Sequence, residues 1–187
     1  PVSSSMTTAL IASAILQAEP GATIIHNLIC SRVVAEVIAE QGGQAVRSRV
    51  GHSFIKMAMA SEGAAFAGEH SGHYYFRDNF GADSGLIAAL LVLEALSTHD
   101  GPLSDLVAPF DRYAASGEIN FEVDDPGAVL DTVAAFYAGH PQDHLDGLTV
   151  DAGDWWLNLR PSNTEPLLRL NLEAGDPAAC AERVTEV

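Results

Sequence analysis

The sequence predicts an α/β fold in two parts. A βαβ-type domain with a mainly parallel sheet spans residues 1–107, and a small α+β domain spans residues 108–187. Three observations predict it. In the first half, short β-branched runs alternate with stretches of helical spacing across short connections, the pattern of parallel strands joined by crossover helices. In the second half, several strand-like runs follow one another and are flanked by two helical stretches. Between the halves, around "STHDGPLSDL" (97–106), the spacing of apolar residues changes character.

The elements follow in order. Residues 4–18 are rich in Ala, Leu and Ile and read as a helix closed by Pro20-Gly21. "TIIHNLI" (23–29) is a β-branched strand, and "SRVVAEVIAEQGG" is a helix that starts from Ser31 as cap and stops at Gly42-Gly43. "QAVRSRV" (44–50) alternates as a strand does, "HSFIKMAMASEG" returns to helical spacing, and "AAFAGE" (64–69) is a short buried strand. "ADSGLIAALLVLEALS" (82–97) is a strongly apolar helix. In the second part, "GEINFEV" (117–123) is a strand and "DPGAVLDTVAAFYAG" is a helix with Pro126 near its start. "DGLTVDAGDWWLNLRPS" forms a hairpin turning at Gly153-Asp154, "EPLLRLNLEAG" is a further strand, and "DPAACAERVTEV" is a closing helix.

Composition narrows the function classes. Hydrophobic residues make up 48% of the 187 and charged residues 18%, a globular balance. Nine Lys and Arg against 25 Asp and Glu give a formal charge of −16, a field that repels nucleic acid and anionic lipid alike. No apolar run reaches the roughly 18–20 residues of a membrane helix, and no export signal opens the chain. Cys30 and Cys180 stand far apart without metal-ligand spacing, which suits a reduced, cytoplasmic protein. The chain starts at Pro1, and its opening reads like the middle of a longer protein, so a fragment is expected.

Three strand-end turns carry residues suited to chemistry. In "GEHSGHYYF", Glu69, Ser71 and His73 suit polyol recognition: a carboxylate accepts from vicinal hydroxyls, serine adds a hydrogen bond, and imidazole can move a proton. A metal held by Glu69, His70 and His73 is disfavoured, because Gly72 opposes a helix there and no HExxH order is present. A polar corner that caps backbone groups is the plain alternative. In "RPSNTEPLLRL", Arg160, Ser162, Asn163 and Thr164 could form an anion nest, with Arg169 on the following strand; an ordinary Asx/Ser turn is the competing reading. In "RSRVGHSFIK", a helix opens at His52 with Arg49 and Lys56 nearby, a weaker anion signal. Together the turns suit a sugar phosphate.

"GEHSGHYYFRD" followed by "GADSG", with "VGHSFIK" before and "RPSNTEPLLRLNLEA" after, resembles the α-D-phosphohexomutase superfamily, in its phosphomannomutase/phosphoglucomutase branch. The resemblance covers essentially the whole chain, and it is to the third and fourth of that family's four domains. It implies a sugar-recognition role for Glu69 and Ser71, a catalytic acid–base or ligand-contact role for His73, a cleft position for His52, and phosphate binding by Arg160, Ser162, Asn163 and Thr164; Arg49 and Arg169 are further substrate-binding candidates from the residues themselves. Asn163, where the aminosugar enzymes usually have glycine, implies the hexose branch.

Two departures accompany the resemblance. The family's phosphoserine loop (TASHNP-like) and Mg²⁺ loop (DGDxDR-like) occur nowhere in this sequence. Ile29 also precedes Cys30 where some members have lysine, leaving Arg32 and Arg49 as substitute cations. The implied parent enzyme is a phosphomannomutase acting on mannose and glucose 1- and 6-phosphates, with Mg²⁺ bound outside this chain and hexose 1,6-bisphosphate as activator. Its implied partners are N-terminal domains 1 and 2 of the same protein. A stand-alone sugar-phosphate binding module is the alternative, and a metal-dependent hydrolase a more distant one.

Overall fold

The computed structural model describes residues 2–162, 165 and 167–187. The chain forms two compact units that divide between Arg112 and Tyr113.

In the first unit, helix α1 (Ser4–Ala18) is capped by Ser3, whose hydroxyl accepts the Met6 N–H at 3.1 Å. Strands β1 (Thr23–Asn27), β2 (Gln44–Ser48) and β3 (Phe66–Gly68) pair in parallel, with β1 between the other two. Helix α2 (Val33–Glu40) joins β1 to β2, and α3 (His52–Glu62) joins β2 to β3. The α2 helix starts just past Ser31, whose hydroxyl accepts the Val33 N–H, and α3 closes on Gly63 in the left-handed conformation.

The sheet is mixed, not mainly parallel. After β3 come β4 (Tyr74–Phe76) and β5 (Ala82–Asp83), both antiparallel to their neighbours, giving the order β2-β1-β3-β4-β5. The reason is the length of the connection. Five residues, 69–73, separate β3 from β4; a parallel return needs a crossover of a dozen or more.

Side-chain alternation places helices on both faces. Ile25, Ala67 and Tyr75 pack with Ile55 and Met59 of α3. Gly68 points the other way, against α1: a Cβ there would lie 2.3 Å from Thr8 Oγ1, so only glycine permits the approach. Helix α4 (Gly85–Ser97) begins at Ser84, which caps Ile87 N–H, and packs on α1. Glu94 is the one charged residue in α4, yet Leu86, Leu90 and Leu93 are 73%, 57% and 58% exposed. Helix α5 (Leu103–Val107) and a 3₁₀ turn at Ala108–Phe110 follow, and Arg112 reaches back to Glu36 and Glu40 of α2 at 3.0 and 2.7 Å.

The second unit is an antiparallel sheet with two helices. Strands β6 (Ala114–Glu122), β7 (Gln142–Asp143), β8 (Leu148–Asp151), β9 (Trp155–Pro161) and β10 (Leu167–Ala174) lie in the order β6-β10-β9-β8-β7. Helix α6 (Pro126–Phe136) is capped by Asp125 and α7 (Pro177–Glu186) by Asp176, each with proline in the first turn. One face carries Leu148, Val150, Leu157, Leu159, Leu168, Leu170 and Leu172 into the core beside Tyr137 and Cys180. The other face is polar: buried Asn158 and Asn171 oppose one another, as do buried Arg160 and half-buried Arg169.

Candidate functional site

At the carboxyl edge of the parallel strands, Asn27 ends β1, Gly51 follows β2 and Glu69 follows β3. Ligand sites of open α/β sheets form at this edge. Residues 69–73 make a tight hairpin loop: Gly72 N–H donates to Glu69 O at 3.0 Å and Glu69 N–H to His73 O at 2.9 Å, with Gly72 at φ +86°. That positive φ is the reason for glycine at this corner.

Glu69 is only 3% exposed and is the junction of the edge. Tyr75 donates its hydroxyl to Oε1 at 2.6 Å, and Oε2 receives Gly51 N–H at 3.3 Å and Asn27 Nδ2 at 3.4 Å. Asn27 Oδ1 in turn accepts His70 N–H at 3.3 Å. One carboxylate therefore ties three strand ends together, so the loop is set by the sheet rather than by solvent. Burial, followed by the Glu69 carboxylate, pushes the Tyr75 phenol far above its ordinary range, which keeps it a donor. A carboxylate has about four acceptor positions. The three bonds leave room for a further donor.

His73 is half exposed at the end of the loop, and its Nδ1 lies 2.6 Å from Asp83 Oδ2. Asp83 Oδ1 accepts Tyr74 N–H at 3.0 Å, which fixes the carboxylate. Burial opposes ionisation of Asp83, but the Tyr74 N–H and His73 outweigh it and hold the carboxyl below its usual value. An imidazole that donates from Nδ1 presents the Nε2 lone pair as a base. Ser71 is exposed in the same loop, and His52 is exposed at the first turn of α3. Arg49 lies over the Phe54 ring, 4.6 Å from its centroid.

In the second unit, Arg160 sits near the end of β9 and is 6% exposed. Its Nη2 lies 3.4 Å from Glu118 on β6, and the same carboxylate receives Arg169 Nη1 at 3.0 Å. Arg169 Nη2 reaches Ser162 Oγ at 3.3 Å and Glu165 at 3.1 Å. Gly147, at φ +72°, lets the chain pass behind this arginine: a Cβ would come within 2.3 Å of Leu159 O and 2.7 Å of Arg160 Cα.

The structure thus gathers Glu69, Ser71 and His73 in one loop, joins that loop to the turn before His52, and places Arg160, Ser162 and Arg169 together. Asn163 and Thr164 lie outside the described residues. Asn27, Tyr75, Asp83 and Glu118 were missed by sequence reasoning. A polar Asn closing a buried β-branched run was the available signal for the first; the others are defined by pairing across strands.

Comparisons with known proteins identify the family of each unit. Residues 3–113 match the model of phosphoglucomutase/phosphomannomutase α/β/α domain III, and residues 118–187 match the C-terminal domain of the same enzymes. The chain belongs to the phosphoglucomutase/phosphomannomutase family. It is 43% identical over 180 residues to a phosphomannomutase of Methanocaldococcus jannaschii, covering 96% of this chain and 40% of that one. Against the phosphohexose mutases of Xanthomonas campestris it is 44% identical over 182 residues, covering 95% and 41%. A solved phosphoglucomutase/phosphomannomutase family protein of Burkholderia thailandensis superposes with a TM-score of 0.85 at 31% identity, covering 97% of this chain and 39% of that one. The chain therefore spans about two-fifths of the length of the relatives it matches.

Two absences concern the described residues alone. No helix among them is long and apolar enough to cross a membrane. No group of three or more His, Cys, Asp and Glu side chains among them is placed to hold a metal ion. Mg²⁺ prefers an octahedral shell of oxygens, which the described residues do not supply.

Proposed function

We propose that this chain is the sugar- and phosphate-binding half of a cytoplasmic phosphomannomutase that also accepts glucose phosphates. The parent interconverts hexose 6-phosphates and hexose 1-phosphates through a bisphosphate, and hexose 1,6-bisphosphate activates it. The observation that carries this reading is the Glu69 junction, which fixes the 69–73 loop at the ligand edge of a domain III match.

In this reading the Glu69 carboxylate and Ser71 hydroxyl hold two sugar hydroxyls, and His73 Nε2 takes or returns the proton of the reacting hydroxyl. His52 and Arg49 border the same edge. Arg160, Ser162, Asn163, Thr164 and Arg169 hold the phosphate that is not reacting, through charge-assisted hydrogen bonds. The phosphoserine and the Mg²⁺ carboxylates belong to N-terminal domains 1 and 2, so the 187-residue chain binds sugar phosphate weakly and turns none over.

The test is an NMR titration of the chain with mannose 1-phosphate, with glucosamine 1-phosphate as comparison. Saturable shifts at residues 69–73 and 160–169, stronger for the mannose compound, are expected. Saturable shifts confined to other surfaces, or measurable mutase turnover by the chain alone, would refute the proposal.

A further inference from the structure

Arg160 and Arg169 face each other directly across β9 and β10. Like charges in that position repel and destabilise the pair unless an anion lies between them. Glu118 is that anion: its two oxygens take one arginine each, at 3.4 and 3.0 Å. Glu118 sits opposite Asn171 on β6, next to Arg169 on the same polar face. With Glu165 on Arg169, two carboxylates balance two guanidinium groups before any ligand arrives.

The balance in charge is not a balance in hydrogen bonds. The Nε atoms of both arginines are buried and have no partner among the described residues. A guanidinium has five donors in a planar fork, and one carboxylate shared between two forks, with Ser162 and Glu165 on Arg169, leaves both Nε–H donors unfilled among the described residues. Buried donors left unfilled are costly. A tetrahedral anion with several acceptor oxygens offers what Glu118 lacks.

We propose that Glu118 is a built-in substitute for substrate phosphate, holding the Arg160–Arg169 pair and setting phosphate affinity by competing for the same donors. The inference rests on the reading of this loop as the phosphate site, and it adds a determinant of affinity outside the loop. A phosphate entering beside Glu118 meets a carboxylate of its own sign, so occupancy requires Glu118 to yield its donors. Removing the charge strengthens phosphate binding. Had Glu118 served only to position the arginines, removing it would weaken binding.

The test is a titration of the 187-residue chain with inorganic phosphate at constant ionic strength, followed by NMR at the Arg160 and Arg169 Nε–H signals. The chain is compared with Glu118→Gln, which keeps shape and an acceptor, and with Glu182→Gln, which makes the same change in net charge on α7. Glu118→Gln is expected to tighten the dissociation constant about tenfold, the scale of one close, partly desolvated charge. Glu182→Gln is expected to match the parent chain. If Glu118→Gln loses its dispersed spectrum, Glu118→Asp, which withdraws the charge by one methylene, is expected to tighten binding about threefold on the same argument. Equal or weaker binding by the position-118 variant overturns the inference and leaves the phosphate site standing. No response at either arginine in any chain removes the phosphate reading and the inference with it.

Discussion

His26 provides a quantitative test of how the first unit is held together. Its ring is buried on β1, with Nδ1 3.1 Å from the Asn27 carbonyl and Arg47 paired with it on β2. Burial is the main reason that its pKa falls from 6.5 to about 4; the Asn27 carbonyl opposes the fall and the Arg47 charge adds to it. The folded unit therefore keeps His26 neutral, while the unfolded chain protonates it near pH 6.5. The sign follows from which state binds more protons. The contribution is complete above about pH 6.5, declines as pH falls, and is exhausted near pH 4. Between pH 7.5 and 4.5 the linkage relation gives a loss of about 2.5 kcal/mol.

The perturbation is His26→Gln, which removes the titration. Glu19, Glu40 and Asp83 have lowered pKa values, so their contributions fade at still lower pH, and equally in both chains. The difference between parent and variant isolates His26. Urea unfolding of the first unit, read by hydrogen exchange at the Ile24 and Ile25 amides, supplies the assay. Both tryptophans, Trp155 and Trp156, lie in the second unit, so their fluorescence is an internal control expected to be the same in the two chains. The parent should lose about 2.5 kcal/mol more than the variant over this range. Parallel stability curves would refute the reasoning, because they would mean that His26 is not buried in the neutral form.

Tyr75→Phe removes the donor on Glu69 Oε1 while preserving the ring in the core, and a buried bond to a carboxylate sets the cost at about 2 kcal/mol of first-unit stability. Urea midpoints measure it, and a change below about 0.5 kcal/mol would mean that the junction does not depend on the phenol. Asp83→Asn should leave the first unit folded but move the His73 proton from Nδ1 toward Nε2. The ring ¹⁵N shifts report that tautomer directly, and an unchanged pattern would show that Asp83 does not orient the imidazole.

The elements legible in the sequence are those written in local signals. Ser31 stands at the start of α2, Pro126 opens the first turn of α6, and the Gly153-Asp154 turn lies between β8 and β9. The sheet was misread where the signal is not local. Tyr74–Phe76 is three residues long, and its direction depends on the short loop before it rather than on its own apolar pattern. Ala82–Asp83 looked like the start of a helix because the alanine is helix-forming, but pairing with Tyr75 and Phe76 takes those residues into a strand. The candidate site divides in the same way. Glu69 and His73 stand out as polar residues beside an apolar run, whereas their partners Asn27 and Asp83 are distant in sequence and are recognised only once strands have been paired.

Helix α4 governs how the isolated chain behaves in a tube. Three leucines turned to water, with one carboxylate in the whole helix, form an apolar stripe that favours contact between copies. What separates them is the charge of −16, a long-range force that dilute buffer transmits and concentrated salt cancels. Colloidal stability of this chain is therefore electrostatic. It is greatest in low salt above neutral pH, and it shrinks as the carboxylates are titrated or screened.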